Sequence, residues 1–357
     1  MRMVNENLNS NNFSERVLSW FASNGRHDLP WQHPREPYRV WLAEIMLQQT
    51  QVQTVIGYFD RFIQRFPLLA DLARTESDEV MRYWAGLGYY ARARNLHLTA
   101  QIIQQHYAGQ FPRELDALMQ LPGIGRSTAG AILAQAFGLR HPILDGNVKR
   151  VLARFHGVQG WTGDGRVQKQ LWQHAEQHTP HAQLADYTQA IMDLGATLCS
   201  SSKPQCVACP IRSDCYAYQN QATQQLPTKK LKKPLPVKAT YLLVLRDAAG
   251  RILLEKRPPT GIWGGLWSLP EATLDADLDE ECQRRWGLIL NHCETGASFR
   301  HTFSHYHLDI TPCYAQVKNP AFSVMEDDRW LWYNSVENEL PGVPAPVSLI
   351  LGQRLTT

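Results

Sequence analysis

The stretch from Leu121 to Arg154, LPGIGRSTAGAILAQAFGLRHPILDGNVKRVLAR, constrains the fold more than any other part of the chain. It opens on Leu121-Pro122-Gly123-Ile124-Gly125, a turn too rich in glycine for helix or strand. From Ser127 to Phe137 small and apolar residues recur at helical spacing, which puts Ala129, Ala131, Ile132, Leu133 and Ala136 in reach of a packed face. Two glycines ahead of a helix leave backbone N–H groups free to approach a phosphate. A second turn, Leu144-Asp145-Gly146-Asn147, then sets one carboxylate just before another helix. A phosphate cradle and an acid on one element point to chemistry on a nucleic-acid backbone or sugar. Taken alone, the stretch also fits a Gly-capped turn in an ordinary helical protein or a small-molecule phosphate loop.

A length of 357 residues predicts two domains. With 44% hydrophobic and 19% charged residues, both can bury a core. The formal net charge of +3 permits a nucleic-acid partner without arguing for one, so local clustering has to carry that case. No apolar run is long enough to span a membrane, and the polar start MRMVNENLNSNN lacks the core of a secretory signal. The expectation is an intracellular monomer without a membrane partner, its Asn-rich residues 1–12 forming a disordered arm.

Cysteine usage is uneven. Cys199, Cys206, Cys209 and Cys215 are bunched, whereas Cys282, Cys293 and Cys313 are scattered. In a reducing compartment disulfides are the less favoured use for any of them. Four thiolates in a compact segment suit either zinc or an iron–sulfur cluster. Zinc modules usually carry two short C-x-x-C pairs, and here only Cys206 and Cys209 are that close.

Upstream, FSERVLSWF reads as a short amphipathic helix capped by Ser14, and Tyr38 to Gln49 as a second helix. The second is mostly apolar and contains one acid, Glu44, on a stripe with Val40, Trp41, Leu47 and Gln48. A glutamate on an amphipathic helix most often faces solvent. Flanked by Trp and aliphatics, it would instead be desolvated and its pKa raised toward neutrality, as a general acid requires. Between two further helices lies Gly86-Leu87-Gly88-Tyr89-Tyr90-Ala91-Arg92-Ala93-Arg94-Asn95, which fits either a Gly-rich connection with solvated arginines or a site where an aromatic wedges between bases and arginines meet phosphates. Residues 219–238 are rich in lysine and proline and read as a semi-extended basic linker, either a tether or a strap along a charged backbone. After it the periodicity becomes strand-like: residues 239–245 and 251–256 flank an Asp-Ala-Ala-Gly turn, with a helix near 277–286 and strands near 297–303 and 307–317.

These motifs resemble those of one family. The hairpin is similar to the helix-hairpin-helix of the endonuclease III superfamily of DNA glycosylases, and WLAEIMLQQTQV closely resembles the catalytic segment of its MutY-type adenine DNA glycosylases. C-x6-C-x2-C-x5-C resembles the loop that holds a 4Fe-4S cluster in that superfamily. The order of elements after residue 239 resembles a Nudix fold. The implied architecture is a mainly α glycosylase domain over 13–218, with its helix-hairpin-helix near 115–137 and an iron–sulfur loop over 199–215. An α+β Nudix-like domain over 239–357 would follow the linker.

The resemblance makes Glu44 the catalytic acid, Asp145 the carboxylate serving the sugar and Asn147 its hydrogen-bonding aid. It makes Cys199, Cys206, Cys209 and Cys215 ligands of one 4Fe-4S cluster. Gly123, Gly125, Ser127, Gln49, Tyr89, Arg26 and Leu47 become DNA contacts, with Gln49 and Tyr89 inserted into the helix and Lys203 and Arg212 near phosphates. Phe303-Ser304-His305 resembles the segment that reads 8-oxoguanine. The Nudix pattern sets a glutamate pair before a glycine to hold magnesium, but alignment on Gly287 puts Arg284 and Arg285 there, so no Mg is expected. The implied reaction is hydrolysis of the adenine N-glycosidic bond in A:8-oxoguanine or A:G mispairs of duplex DNA, in the bacterial cytoplasm or nucleoid. A bifunctional glycosylase/lyase acting on oxidised pyrimidines needs a Schiff-base lysine where this chain has Ser127. A non-catalytic mismatch binder would have no use for both Glu44 and Asp145.

Overall fold

Helical spacing in the first two-thirds of the chain and alternation in the last third give two kinds of architecture. The computed structural model describes residues 4–230, 234–318, 329–334 and 339–352. The chain groups into two units, Met1–Ala73 with Leu98–Lys232 and Arg74–His97 with Lys233–Thr357.

Helices form most of the first unit. They are α1 (Val4–Asn24), α2 (Pro37–Leu47), α3 (Val52–Arg65) and α4 (Leu69–Arg74). After α5 (Ser77–Trp84), which groups with the second unit, come α6 (Ala91–His106), α7 (Leu115–Met119), α8 (Arg126–Phe137) and α9 (Gly146–His156). Then follow α10 (Gly165–His178), α11 (Leu184–Asp193) and α12 (Tyr216–Gln219). The core joins Phe13, Val17 and Phe21 of α1 to Val148, Val151 and Leu152 of α9, Leu171 of α10 and Ile191 of α11.

That packing corrects two expectations. Helix α1 opens at Val4, inside the segment expected to be a disordered arm, and Ser14 lies within it, 3% exposed, rather than at its cap. Once the Phe13–Phe21 face is docked, each further residue adds a helical hydrogen bond without a new nucleation cost. The basic linker also begins later than expected. Ala222 and Leu226 pack into a small core with Ala217, and Trp161 bridges to Thr228. Two apolar side chains and a buried arginine that needs the Leu226 carbonyl hold this segment.

The second unit is built on one sheet. Its strands are β1 (Val237–Arg246), β2 (Ile252–Lys256), β3 (Trp267–Ser268), β4 (Glu271–Ala272), β5 (Leu290–Thr295), β6 (Phe299–Thr302), β7 (His307–Val317) and β8 (Trp330–Tyr333). The spatial order is β3-β2-β1-β7-β5, with β4 on β1, β6 on β7 and β8 on β2. The β1–β2 hairpin turns on Asp247, whose carboxylate accepts from the N–H groups of Ala249 and Arg251. The parallel β1–β7 pairing runs from Val237↔His307 to Arg246↔Gln316. Helix α13 (Leu278–Trp286), N-capped by Asp277, buries Cys282 and Trp286 against Leu243, Leu253 and Cys313. A short helix, α14 (Ala345–Ile350), follows. Contrary to the expectation of free thiols, Cys293 and Cys313 form a disulfide between β5 and β7, with Cα atoms 6.3 Å apart. Adjacent antiparallel strands bring the two side chains onto one face, a proximity that scattered sequence positions conceal.

Three histidines meet between α9 and α10 of the first unit. The rings of His156 and His174 stack at 3.6 Å, His156 Nε2 lies 2.8 Å from His178 Nε2, and Phe13 stacks on His178 at 4.1 Å. Burial lowers all three pKa values. His156, also opposed by His174 and His178, falls to about 3, and His178, also opposed by His174, falls to about 4. The neutral rings therefore contribute stability that is fully present above the unfolded value near 6.5 and is lost as pH falls through the folded values. We expect stability to decline between about pH 6.5 and 3, with a slope of up to about 1.4 kcal/mol per pH unit for each histidine. Proton NMR should find the His156 and His178 imidazole resonances unmoved at pH 5. Titration near 6.5 would contradict a buried neutral cluster.

Candidate active site

Helix α2 has Pro37 in its first turn and buries Val40, Trp41, Leu42, Ala43, Ile45 and Met46. Glu44 therefore projects from an apolar surface. Burial pushes its carboxyl up to about 8, the negative charge of Asp145 pushes the same way, and a hydrogen bond from Gln135 opposes. Gln135, buried on α8, donates from Nε2 to Glu44 Oε1 at 3.3 Å.

Asp145 is the N-cap of α9, and its Oδ1 accepts from the Val148 N–H at 2.8 Å. Its Oδ2 accepts from Asn147 Nδ2 at 3.2 Å. Burial leaves this carboxyl raised as well, with the Val148 and Asn147 donors and the Arg150 charge working against the rise. The two acids are thus provisioned differently. Donors and a helix N-terminus stabilise the anion of Asp145, whereas Glu44 has one neutral donor among apolar residues. The arrangement favours the proton on Glu44 over Asp145.

The hairpin delivers Asp145 through close packing. Gly123 has φ of +80°, a conformation that favours glycine, and Ile124 N–H closes the turn on Leu121 O at 3.2 Å. A Cβ on Gly130 would sit 2.5 Å from the Pro142 carbonyl oxygen, so only glycine lets the segment before Asp145 lie against α8. Ser127 Oγ accepts from the Leu144 N–H at 3.0 Å, pinning the residue before Asp145.

Helix α9 also reaches the cysteine loop. Arg150 donates to Asn147 Oδ1 at 2.8 Å, Gly195 O at 2.7 Å and Cys199 O at 2.6 Å. Arg154, only 3% exposed, donates to Cys199 Sγ at 3.3 Å and to the carbonyls of Ser200 and Leu226 at 2.7 and 2.9 Å. Cys199, Cys206, Cys209 and Cys215 line one cavity with Arg154, Leu198 and Ile211. Burial and the neighbouring sulfurs raise the thiols of Cys206 and Cys215, and that of Cys209 to about 12. Among the described residues no group of three His, Cys, Asp or Glu side chains is arranged to hold a single metal ion. Sequence reasoning missed Gln135, Arg150 and Arg154. The i, i+4 spacing of the two arginines on α9 was their available signal.

Other expected contacts fall in several places. Arg26 is bound through its N–H and guanidinium to the buried carboxylate of Asp193. Leu47 ends α2, half-buried, and the exposed Gln49 follows with φ of +58°. Arg212 turns back on the Val207 carbonyl at 2.7 Å. In the second unit Tyr89 is 46% exposed with φ of +49°. Phe303, Ser304 and His305 form the β6–β7 turn, closed by Phe303 N–H on Tyr306 O at 2.9 Å. The Phe303 ring lies 5.7 Å from that of Trp263, and Ser304 Oγ is 3.4 Å from His305 Nδ1. Arg285 crosses from α13 to Glu255 at 2.7 Å, and Arg284 pairs with Glu281 at 2.6 Å.

Comparison with known proteins places this arrangement. Residues 42–177 match the HhH-GPD superfamily of base excision DNA repair proteins, and residues 240–353 match the NUDIX domain. The first unit's helical fold is shared with a thermostable thymine-DNA glycosylase, at a TM-score of 0.54 and 29% identity over 60% of this chain and 98% of that one. An endonuclease III–DNA complex shares the fold at a TM-score of 0.51 and 22% identity, over 60% of this chain and 97% of that one. The chain is a helix-hairpin-helix DNA glycosylase with a C-terminal Nudix domain. Adenine DNA glycosylase of Buchnera aphidicola subsp. Acyrthosiphon pisum is 40% identical over 95% of this chain and 96% of its own length. The Homo sapiens adenine DNA glycosylase is 34% identical over 89% of this chain and 70% of its own. The chain belongs to the adenine DNA glycosylase family.

Replacing Ser127 by Ala leaves the Leu144 N–H without its acceptor, a loss of about 1–3 kcal/mol. We expect the urea midpoint of Ser127→Ala to fall accordingly. A change below about 0.5 kcal/mol would show that the bond does not hold the Asp145 turn.

Proposed function

We propose that the enzyme hydrolyses the N-glycosidic bond of adenine paired with 8-oxoguanine or guanine in duplex DNA, without a lyase step. The single observation carrying this reading is the unequal provisioning of Glu44 and Asp145. Adenine must leave the stack to be reached, at a cost of a few kcal/mol. Protonated Glu44 donates to adenine N7, so the base departs neutral as the C1′–N9 bond breaks. Ionised Asp145, held by Val148 and Asn147, stabilises the cationic sugar. The carboxylate left on Glu44 then takes a proton from water as its oxygen bonds to C1′. Ser127, bonded to Leu144, stands where a Schiff-base lysine would be needed, which supports a monofunctional reaction.

Gly123, Gly125, Gln49, Leu47 and Tyr89 are proposed DNA contacts, and the Phe303-Ser304-His305 turn is proposed to read the opposite base, its Ser and His supplying donors and acceptors. The cysteine set fits a 4Fe-4S cluster. Four thiols ring one cavity without converging on a single ion, and Arg154 donates to one of them. Such a cluster would pin the loop that Arg150 and Arg154 grip. At the C-terminal domain Arg285 fills the space between Glu255 and Glu281, which supports recognition without magnesium.

Glu44→Gln should bind the duplex normally and release adenine at least about 100-fold more slowly, measured as alkali-labile sites in single turnover. In the wild type the rate should fall as pH rises through about 8, where Glu44 loses its proton. A rate unchanged in the Gln variant removes Glu44 from the chemistry. Visible absorption with iron and sulfide assays should find four irons per chain, whereas a colourless zinc protein contradicts the cluster.

A further inference from the structure

The loop of residues 86–95, with Tyr89 at its tip, is bonded on both flanks to the C-terminal domain. On the α5 side, the Asp78 carboxylate receives Lys256 Nζ at 2.6 Å and Trp267 Nε1 at 3.0 Å. Arg82 pairs with Glu339, and a Cβ on Gly342 would come within 2.9 Å of the Met81–Arg82 backbone. On the α6 side, Arg94 donates from Nη1 to the Gly264 carbonyl, and Gly265 sits against its Cδ. The sequence allowed Arg94 either a phosphate or solvent; its guanidinium is used within the protein.

The loop between these flanks is stiff. Trp84 Nε1 donates to Gly88 O at 3.2 Å, and Arg92 Nη2 donates to the same carbonyl at 3.2 Å. The Arg92 guanidinium lies 5.4 Å from the Trp84 ring centroid and 5.3 Å from that of Tyr89. A displacement at Asp78 or Gly264 is therefore carried to Tyr89 rather than absorbed between them. Each surface ion pair alone is weak, but here one carboxylate collects an ammonium and an indole N–H from two adjacent strands.

We propose that Asp78 is a positioning residue that fixes the Tyr89 loop to the C-terminal domain, so that the opposite base read by that domain sets how the loop engages the duplex. The proposal rests on the functional reading above. Asp78 touches no reacting atom. Its loss should alter discrimination between opposite bases and leave the chemical step intact.

Two measurements on the full chain test it. Single-turnover adenine release from A:8-oxoguanine and A:G duplexes gives a rate ratio. In Asp78→Ala and in Lys256→Met the ratio should fall about fivefold or more, with the A:G rate within twofold of wild type. Asp78→Asn, which keeps an acceptor for Trp267, should recover part of it. An unchanged ratio, or a parallel fall of both rates, overturns the proposal. Hydrogen exchange is independent of activity. Amides of residues 86–95 should exchange at least about tenfold faster in Asp78→Ala, with those of α8 and α9 unchanged. A wild type that does not distinguish the two duplexes sinks the functional reading, whereas unaltered loop exchange sinks the anchor itself.

Discussion

Two largely buried carboxyl groups that feel each other's charge cannot both stay charged cheaply. The charge of Asp145 raises the Glu44 pKa on top of the effect of burial. The structure meets this constraint by giving the donors to one partner. Asp145 receives the Val148 N–H, the Asn147 amide and the field of Arg150, while Glu44 keeps Gln135 and an apolar wall. Much of the first unit arranges that inequality. Gly130 lets the chain close on α8, Ser127 fixes Leu144, and the start of α9 supplies the N-terminus that Asp145 caps.

The cysteine loop depends on the same helix. Its backbone is short turns, and the carbonyls of Cys199 and Ser200 take donors from outside the loop. Arg154 and Arg150 supply them, and Arg150 uses the rest of its planar fork on Asn147 and Gly195. A single rigid rod therefore carries the acid's cap at one end and the loop's grip further along.

The parts of this site legible in sequence were those whose chemistry is local. Glu44 stood out as the one acid in an apolar helix, and the LPGIG turn and the β1–β2 hairpin follow from glycine and alternation. What sequence did not reveal was the destination of each arginine. A guanidinium announces that it needs acceptors and says nothing of which ones. Arg26 finds buried Asp193, where a DNA contact was expected, Arg94 finds a carbonyl and Arg154 finds a loop. Likewise, Asn-rich composition says that a segment can stay unfolded, but α1 is set by the face that Phe13, Val17 and Phe21 present to α9 and α10.

The grouping of Arg74–His97 with Lys233–Thr357 has a consequence for biosynthesis. The partners of this segment in its own unit are translated last, and the β1–β7 pairing at the centre of the sheet closes only after Val317 has emerged. Pairings so distant in sequence form slowly and after local helices. The helical core can assemble when Lys232 leaves the ribosome, with α5 still lacking its strands. At about 5–20 residues per second that interval is on the order of seconds. A nascent chain of this kind carries an unfinished surface near its middle, where a holding chaperone would have most to shield.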